Sequence, residues 1–210
     1  MKHKTLLLAL CAAAQAHAQT APPDLFLREL SRCDRSFFEQ LGAHRSELSA
    51  VAPLRFLGTS AAFKVPEPAH RTRSRVMFEQ PVAVNGVTVL GYFDEVLDIP
   101  NGMTSYAWGY LLAGTVEAAT AQLRPLVWDP MRLRQEDGVY VRSEVWTHDK
   151  PNAGWVRTKT ESGVPPRGTV ERVLLIEPYD GEDRFIRFGC AIQGNITDPL
   201  LRDIRPDLRD

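Results

Sequence analysis

The sequence predicts an α+β protein of two tandem helix-plus-antiparallel-sheet repeats, packed as one unit with an N-terminal amphipathic helix. Three observations lead there. Tyr106–Pro125 (YAWGYLLAGTVEAATAQLRP) is echoed by Ile186–Pro206 (IRFGCAIQGNITDPLLRDIRP): Gly109 aligns with Gly189, Gly114 with Gly194 and Val116 with Ile196, and one inserted residue brings Leu123-Arg124-Pro125 onto Ile204-Arg205-Pro206. In both stretches an alternating apolar run ends at a glycine and a helix-like segment follows. Asn85-Gly86 joins two further alternating runs, the strongest short signal for a hairpin, so neighbouring strands should be antiparallel. Finally, Phe26, Leu30, Cys33, Phe37 and Leu41 recur at helical spacing on one face.

The division that follows is 1–18 as a cleaved signal peptide, 19–125 as a first α+β repeat carrying the N-terminal helix, and 126–210 as a second repeat. Lys2 and Lys4 precede a short apolar run, Thr5 to Ala14, and Ala16-His17-Ala18 is a small-residue cleavage site. The run is too short to span a bilayer. Leu10 is too large for the position before a lipidated Cys11. The expectation is a periplasmic protein, cleaved after Ala18, with no membrane span or lipid anchor. Loss of the two lysines moves the formal charge from −1 to −3, a balance that attracts neither nucleic acid nor anionic membrane, and no nucleic-acid partner is expected. Cys33 and Cys190 remain after cleavage, and two cysteines in an exported chain most often pair.

Along the chain, Pro22-Pro23 leads into a helix with Asp24 as N-cap and Gly42 as its end. Cys33 sits mid-stripe, so its partner should lie in the surface this helix covers. Leu54–Leu57 reads as a strand, and Pro66 and Pro68 mark a loop. Val76, Phe78, Val82 and Val84 alternate up to the Asn85-Gly86 turn, which pairs Val84 with Val87, Val82 with Val89 and Phe78 with Phe93. Pro81 makes that first strand an edge or a bulged one. Tyr106, Trp108, Tyr110 and Leu112 share one face of the next strand, and Thr115 caps the helix after it. In the second half, Gly138–His148 alternates, with Val139, Val141 and Val145 assigned to the core, and Trp155–Thr160 is its partner strand. Val173–Ile176 and Phe185–Gln193 follow, the latter placing Ile186, Phe188, Cys190 and Ile192 on one face. The last helix starts near Asn195 or Thr197, and Pro199 in its first turn favours Thr197. In layout such a pair of repeats resembles secreted inhibitors of the β-lactamase inhibitor protein type. No motif is shared, so no residue or activity is carried over.

For chemistry the residues offer little. There is no G-x-S-x-G elbow, and His44, His70 and His148 lack the spacing of a metal site, so neither a metal nor a cofactor is implied. Asp94, Glu95 and Asp98 fall in an expected strand-end loop, where carboxylates cap turns. Two surfaces remain. Arg71, Arg73 and Arg75, behind His70, alternate along an extended segment and form either an anion-binding patch or a charged edge that resists strand pairing. Opposite the core valines, Tyr140, Arg142, Glu144, Trp146 and His148 should face outward beside Trp155, Arg157 and Lys159, a composition typical of binding hot spots. The reading is an exported, non-enzymatic envelope protein that binds a protein or an anionic ligand through that sheet face. Its alternatives are an envelope-polymer hydrolase with a dispersed Asp/Glu/His site, or an accessory subunit of an envelope assembly.

Overall fold

The computed structural model describes residues 24–99, 102–147, 156–158, 165–179 and 185–208. Three short helices come first: α1 (Asp24–Leu30), α2 (Ser36–Ala43) and α3 (Arg45–Leu48). A small hairpin, β1 (Leu54–Leu57) and β2 (Ser60–Phe63), stands apart as a two-stranded sheet. The remaining strands are β3 (Arg75–Val84), β4 (Val87–Ile99), β5 (Met103–Leu112), β6 (Arg134–Glu136), β7 (Val139–Thr147), β8 (Val156–Thr158), β9 (Thr169–Pro178) and β10 (Ile186–Gly194). All belong to one antiparallel sheet in the order β3-β4-β5-β10-β9-β7-β6, with β8 joining the free end of β7. Helices α4 (Val116–Leu123) and α5 (Asp198–Ile204) follow β5 and β10.

This overturns the expectation of two helix-plus-sheet repeats. The similar stretches do not head separate repeats. They are β5 and β10, hydrogen-bonded to each other at the middle of one continuous sheet, Gly109 opposite Gly189 and Trp108 opposite Cys190. The glycines are what that pairing needs. A Cβ on Gly109 would lie 2.4 Å from the Gly189 Cα, and one on Gly189 would lie 2.6 Å from the tip of Phe93. The layout likeness to secreted inhibitors goes with the repeats.

The single N-terminal helix is also corrected. It breaks after Leu30, where Cys33 adopts φ 56° and Asp34 Oδ1 accepts the Ser36 N–H at 2.9 Å to start α2. Phe37, Phe38 and Leu41 of α2 and Leu27 and Leu30 of α1 are buried against one face of the sheet. The aromatic row expected to be core is core: Trp108 and Phe188 are fully buried, Phe37 meets Tyr110 edge-on at 5.9 Å, and Phe38 tilts on Trp108 at 5.6 Å. Gly42 does not end α2; a Cβ there would lie 1.9 Å from the Thr59 carbonyl oxygen, so it lets β2 approach the helix. Phe93, Leu111, Tyr179 and Phe185 make a second, smaller cluster on the opposite face.

Local expectations fare unevenly. Asn85 and Gly86 take the positive φ of a tight hairpin turn, and Val84–Val87 and Val82–Val89 pair as expected. Phe93, however, lies opposite Arg75 rather than Phe78, because the register shifts between Met77 and Val82, around Pro81 on this edge strand. Thr115 caps α4, accepting the Ala118 N–H at 3.3 Å. Thr197 occupies the cap position of α5, while the Asn195 side chain accepts the Gly168 N–H at 2.6 Å.

The cysteines are joined, Cys33 to Cys190, 157 residues apart in sequence. The bond fixes the α1–α2 break to the central strand β10. At the other end of the chain Arg205, fully buried, donates to Asp207 and to Asp94 of β4 at 2.9–3.0 Å, and its guanidinium lies between Phe38 and Trp108. Burial works to lower its pKa, but the charges of Asp207 and Asp94 outweigh that and hold it well above arginine's ordinary value. Arg55 of β1 adds a second cation on Asp207 at 2.8 Å.

Reduction should add two hydrogens to the intact mass of the monomer, and the Cys33→Ala/Cys190→Ala protein should lose about 2–5 kcal/mol in urea unfolding. Arg205→Ala should cost about 3–5 kcal/mol in the same measurement, because it strands two buried carboxylates without their main cation.

Candidate functional site

The residues expected to face outward from β7 face the helices instead. Tyr140 lies opposite Ile176, Arg142 opposite Leu174 and Trp146 opposite Val170, all three partners in the main core. Arg142 is 2% exposed and Glu144 4%. Alternation correctly separates the two faces but not which is covered. Val141 and Val145 are buried on the other side as well. Among the companions, Arg157 lies opposite Trp146 through its backbone, and His148, Trp155 and Lys159 lie outside the described residues.

Arg142 is buried because it braces two other parts of the chain. It donates to the Trp128 carbonyl and, at 2.6 Å, to the Ser31 carbonyl at the end of α1, and its guanidinium lies 5.1 Å from the Trp128 ring. Burial pulls its pKa down to about 10, partly offset by the charge of Glu144. Glu144 takes Arg132 at 3.1 Å and Arg172 at 2.6 Å, and Arg172 covers the Trp146 ring at 4.7 Å.

These contacts hold an arm, residues 124–133. Arg124 donates to the Pro130 and Leu133 carbonyls, Trp128 N–H donates to Ser31 Oγ at 2.8 Å, and Arg132 donates to the Ser143 carbonyl. Leu126, Val127 and Leu133 point inward. Asp129 takes φ 55°, a conformation costly for a residue with a Cβ, and turns the chain into a short 3-10 turn at Pro130–Arg132. The result displays Trp128, 40% exposed, and Met131, 90% exposed. The only available sequence signal was the run Trp128-Asp129-Pro130-Met131, apolar residues around a turn dipeptide.

Arg71, Arg73 and Arg75 do not make one patch. The segment before β3 is a turn rather than an extended strand; Arg71 and Arg73 are exposed there, Arg73 paired with Glu67. Arg75, inside β3, lies over the rings of Tyr179 and Phe185 on the second sheet face. Asp94, Glu95 and Asp98 are not in a loop, since β4 runs through to Ile99. Asp94 points to the helices and Arg205, and Glu95 points the other way, accepting from Tyr179 at 3.1 Å, Ser74 at 3.3 Å and Arg187 at 3.3 Å. Neighbouring strand residues cannot converge on one substrate. Among the described residues no cluster of His, Cys, Asp and Glu could hold a metal ion, and no helix is long and apolar enough to cross a membrane.

One concavity stands out for its walls. A cavity of about 250 Å³ opens between α1, the α2–α3 corner and strands β3–β5, lined mainly by Leu, Val and Phe side chains with His44 and Glu47 at one side. Tyr110 also lines it, and burial alone drives the pKa of its hydroxyl up. Compared with known proteins, the chain matches no protein-family model, no curated protein and no solved structure.

Two core tyrosines make stability fall at high pH. Burial raises Tyr110, and burial together with the Asp94 charge raises Tyr92 well above its ordinary value. Their contribution is complete below the unfolded value of about 10 and drains as pH climbs from there toward the raised folded values. Tyr179, raised by burial and the Glu95 charge, acts in the same direction, whereas Arg142, lowered to about 10 by burial, opposes them as one group against three. Urea midpoints should therefore hold from pH 7 to 9 and fall by pH 11, and Tyr92→Phe should flatten that fall.

Proposed function

We propose that this chain is an exported, non-enzymatic binding protein that docks a protein partner through the 124–133 arm standing on the Arg142–Glu144–Trp146 face. The observation that carries the reading is the exposure of Met131 and Trp128 on a segment held rigid by three arginines. An apolar side chain 90% exposed on a rigid support gains more on binding than one on a flexible loop, because little ordering is left to do. Trp, Met and Arg are the types enriched at interface centres.

The leader-like residues 1–18 support a periplasmic location, and the disulfide fits an oxidising compartment. The buried Arg142 and Glu144 serve as the arm's foundation in this reading, and the contact surface lies one layer further out. Glu95 is committed to three hydrogen bonds and Asp94 to Arg205, which favours binding over hydrolysis by these carboxylates.

Met131→Glu is the decisive change, since a residue so exposed can be replaced within about 0.5 kcal/mol of wild-type stability. In affinity capture from envelope extract with quantitative mass spectrometry, wild type should retain a protein that Met131→Glu and Trp128→Ala lose by roughly 30-fold, the factor expected of a hot spot. Equal capture by wild type and Met131→Glu, with unchanged melting, would sink the proposal.

A further inference from the structure

Independently of the arm, we infer that the apolar cavity is a binding site for a small molecule with one aliphatic chain and an uncharged or cationic polar end. The cavity lies on the opposite side of the molecule's central strands from the arm: its sheet residues come from β3, β4 and β5, whereas the arm rests on β7. Its walls are Phe26 and Leu48 from the helices, Phe63 from β2, and Val82, Val84 and Val89 from the β3–β4 hairpin. At about 250 Å³ it exceeds the roughly 150 Å³ apolar cavity that suffices to take up benzene.

Two polar features define the ligand further. Tyr110 is 4% exposed, and its hydroxyl has no hydrogen-bond partner among the described residues although it lines the cavity. The hydroxyl is reachable from the cavity, and a ligand carrying a donor or acceptor can bond to it there in place of water. At the side formed by the α2–α3 corner, the Glu47 carboxylate lies 3.5 Å from His44 Nδ1. Glu47 is the one carboxylate lining the cavity among the described residues. It attracts a cationic end, tolerates an alcohol and repels a carboxylate. Pockets that bind small ligands combine such an apolar body with a few placed polar groups.

The test uses the mature protein and displacement of the neutral dye N-phenyl-1-naphthylamine by dodecylamine, 1-dodecanol and dodecanoate, each below its micelle concentration. The dye should bind, and the amine and alcohol should displace it better than the carboxylate. Glu47→Gln should remove most of that discrimination. Tyr110→Phe should weaken dodecanol by roughly fivefold, as for one lost hydrogen bond. Val89→Phe, which fills the cavity, should abolish dye binding. No dye binding by wild type, or full binding by Val89→Phe with a native circular dichroism spectrum, overturns the site. Should Val89→Phe not fold, a Tyr110→Phe protein that binds dodecanol as wild type does overturns it instead. Equal displacement by all three ligands overturns the assignment of the polar end.

Discussion

The Cys33–Cys190 bond is the constraint on which the rest of the molecule's arrangement depends. It joins the one residue where the N-terminal helical stripe breaks to the strand at the middle of the sheet. A straight helix through residue 41 would have crossed the sheet along one line. The break lets α1 and α2 cover different parts of it, α2 over Tyr110 and Trp108 and α1 reaching toward both the cavity and the arm. The left-handed conformation at Cys33 costs on the order of 1–2 kcal/mol in a residue with a Cβ, less than the bond returns by shortening the unfolded chain's reach. On one side of this clasp lies the apolar cavity, on the other the arm.

Two buried arginines extend the clasp to the flanks. Arg205 ties the end of α5 to β4, and Arg142 ties the end of α1 and the arm to β7. Buried ion pairs add little net stability, because desolvation consumes most of the attraction. What they impose is geometry: Arg205 must meet Asp94 and Asp207 together while lying between two aromatic rings, and a shifted docking of α5 would leave three buried charges unmatched. Arg142 does the same for Trp128 and Ser31. The two pins act at opposite ends of the sheet order, so each flank is located separately.

The contrast between sequence and structure turns on which signals are local. The Asn85-Gly86 turn, the Thr115 cap, the aromatic alternation of Tyr106–Leu112 and the cysteine pair depend on neighbouring residues or on simple arithmetic, and each stands in the fold. What failed depended on partners far away in the chain. Similarity between β5 and β10 looked like the heads of two separate units, whereas the two strands lie side by side in one sheet, where Gly109 and Gly189 have to pass each other closely. The spacing through Cys33 is helical at every step, and the break appears only in the backbone, as the positive φ of Cys33 and the Asp34–Ser36 hydrogen bond that restarts the helix. Arg142 and Glu144 looked like solvent-facing residues because charged side chains almost always are; their burial is explained by Ser31, Trp128, Arg132 and Arg172, none of which could be assigned to them from spacing alone. Strand β6, joined to β7 by a turn with positive φ at Asp137 and Gly138, went unread because three residues are too few for periodicity to show.

The arm and the cavity share a property that sets them apart from the rest of the fold. Through most of the fold local choices agree with the packing around them, as sequences shaped to fold must. At the arm, Asp129 adopts a strained backbone whose outcome is to expose Met131 rather than to bury it. At the cavity, three valines stand where larger side chains would fill about 250 Å³. Neither feature is needed by the sheet, and a single substitution could remove either. Both are places where packing stops short of closure, and it is there that the proposed partner and ligand would supply contacts the chain does not make with itself.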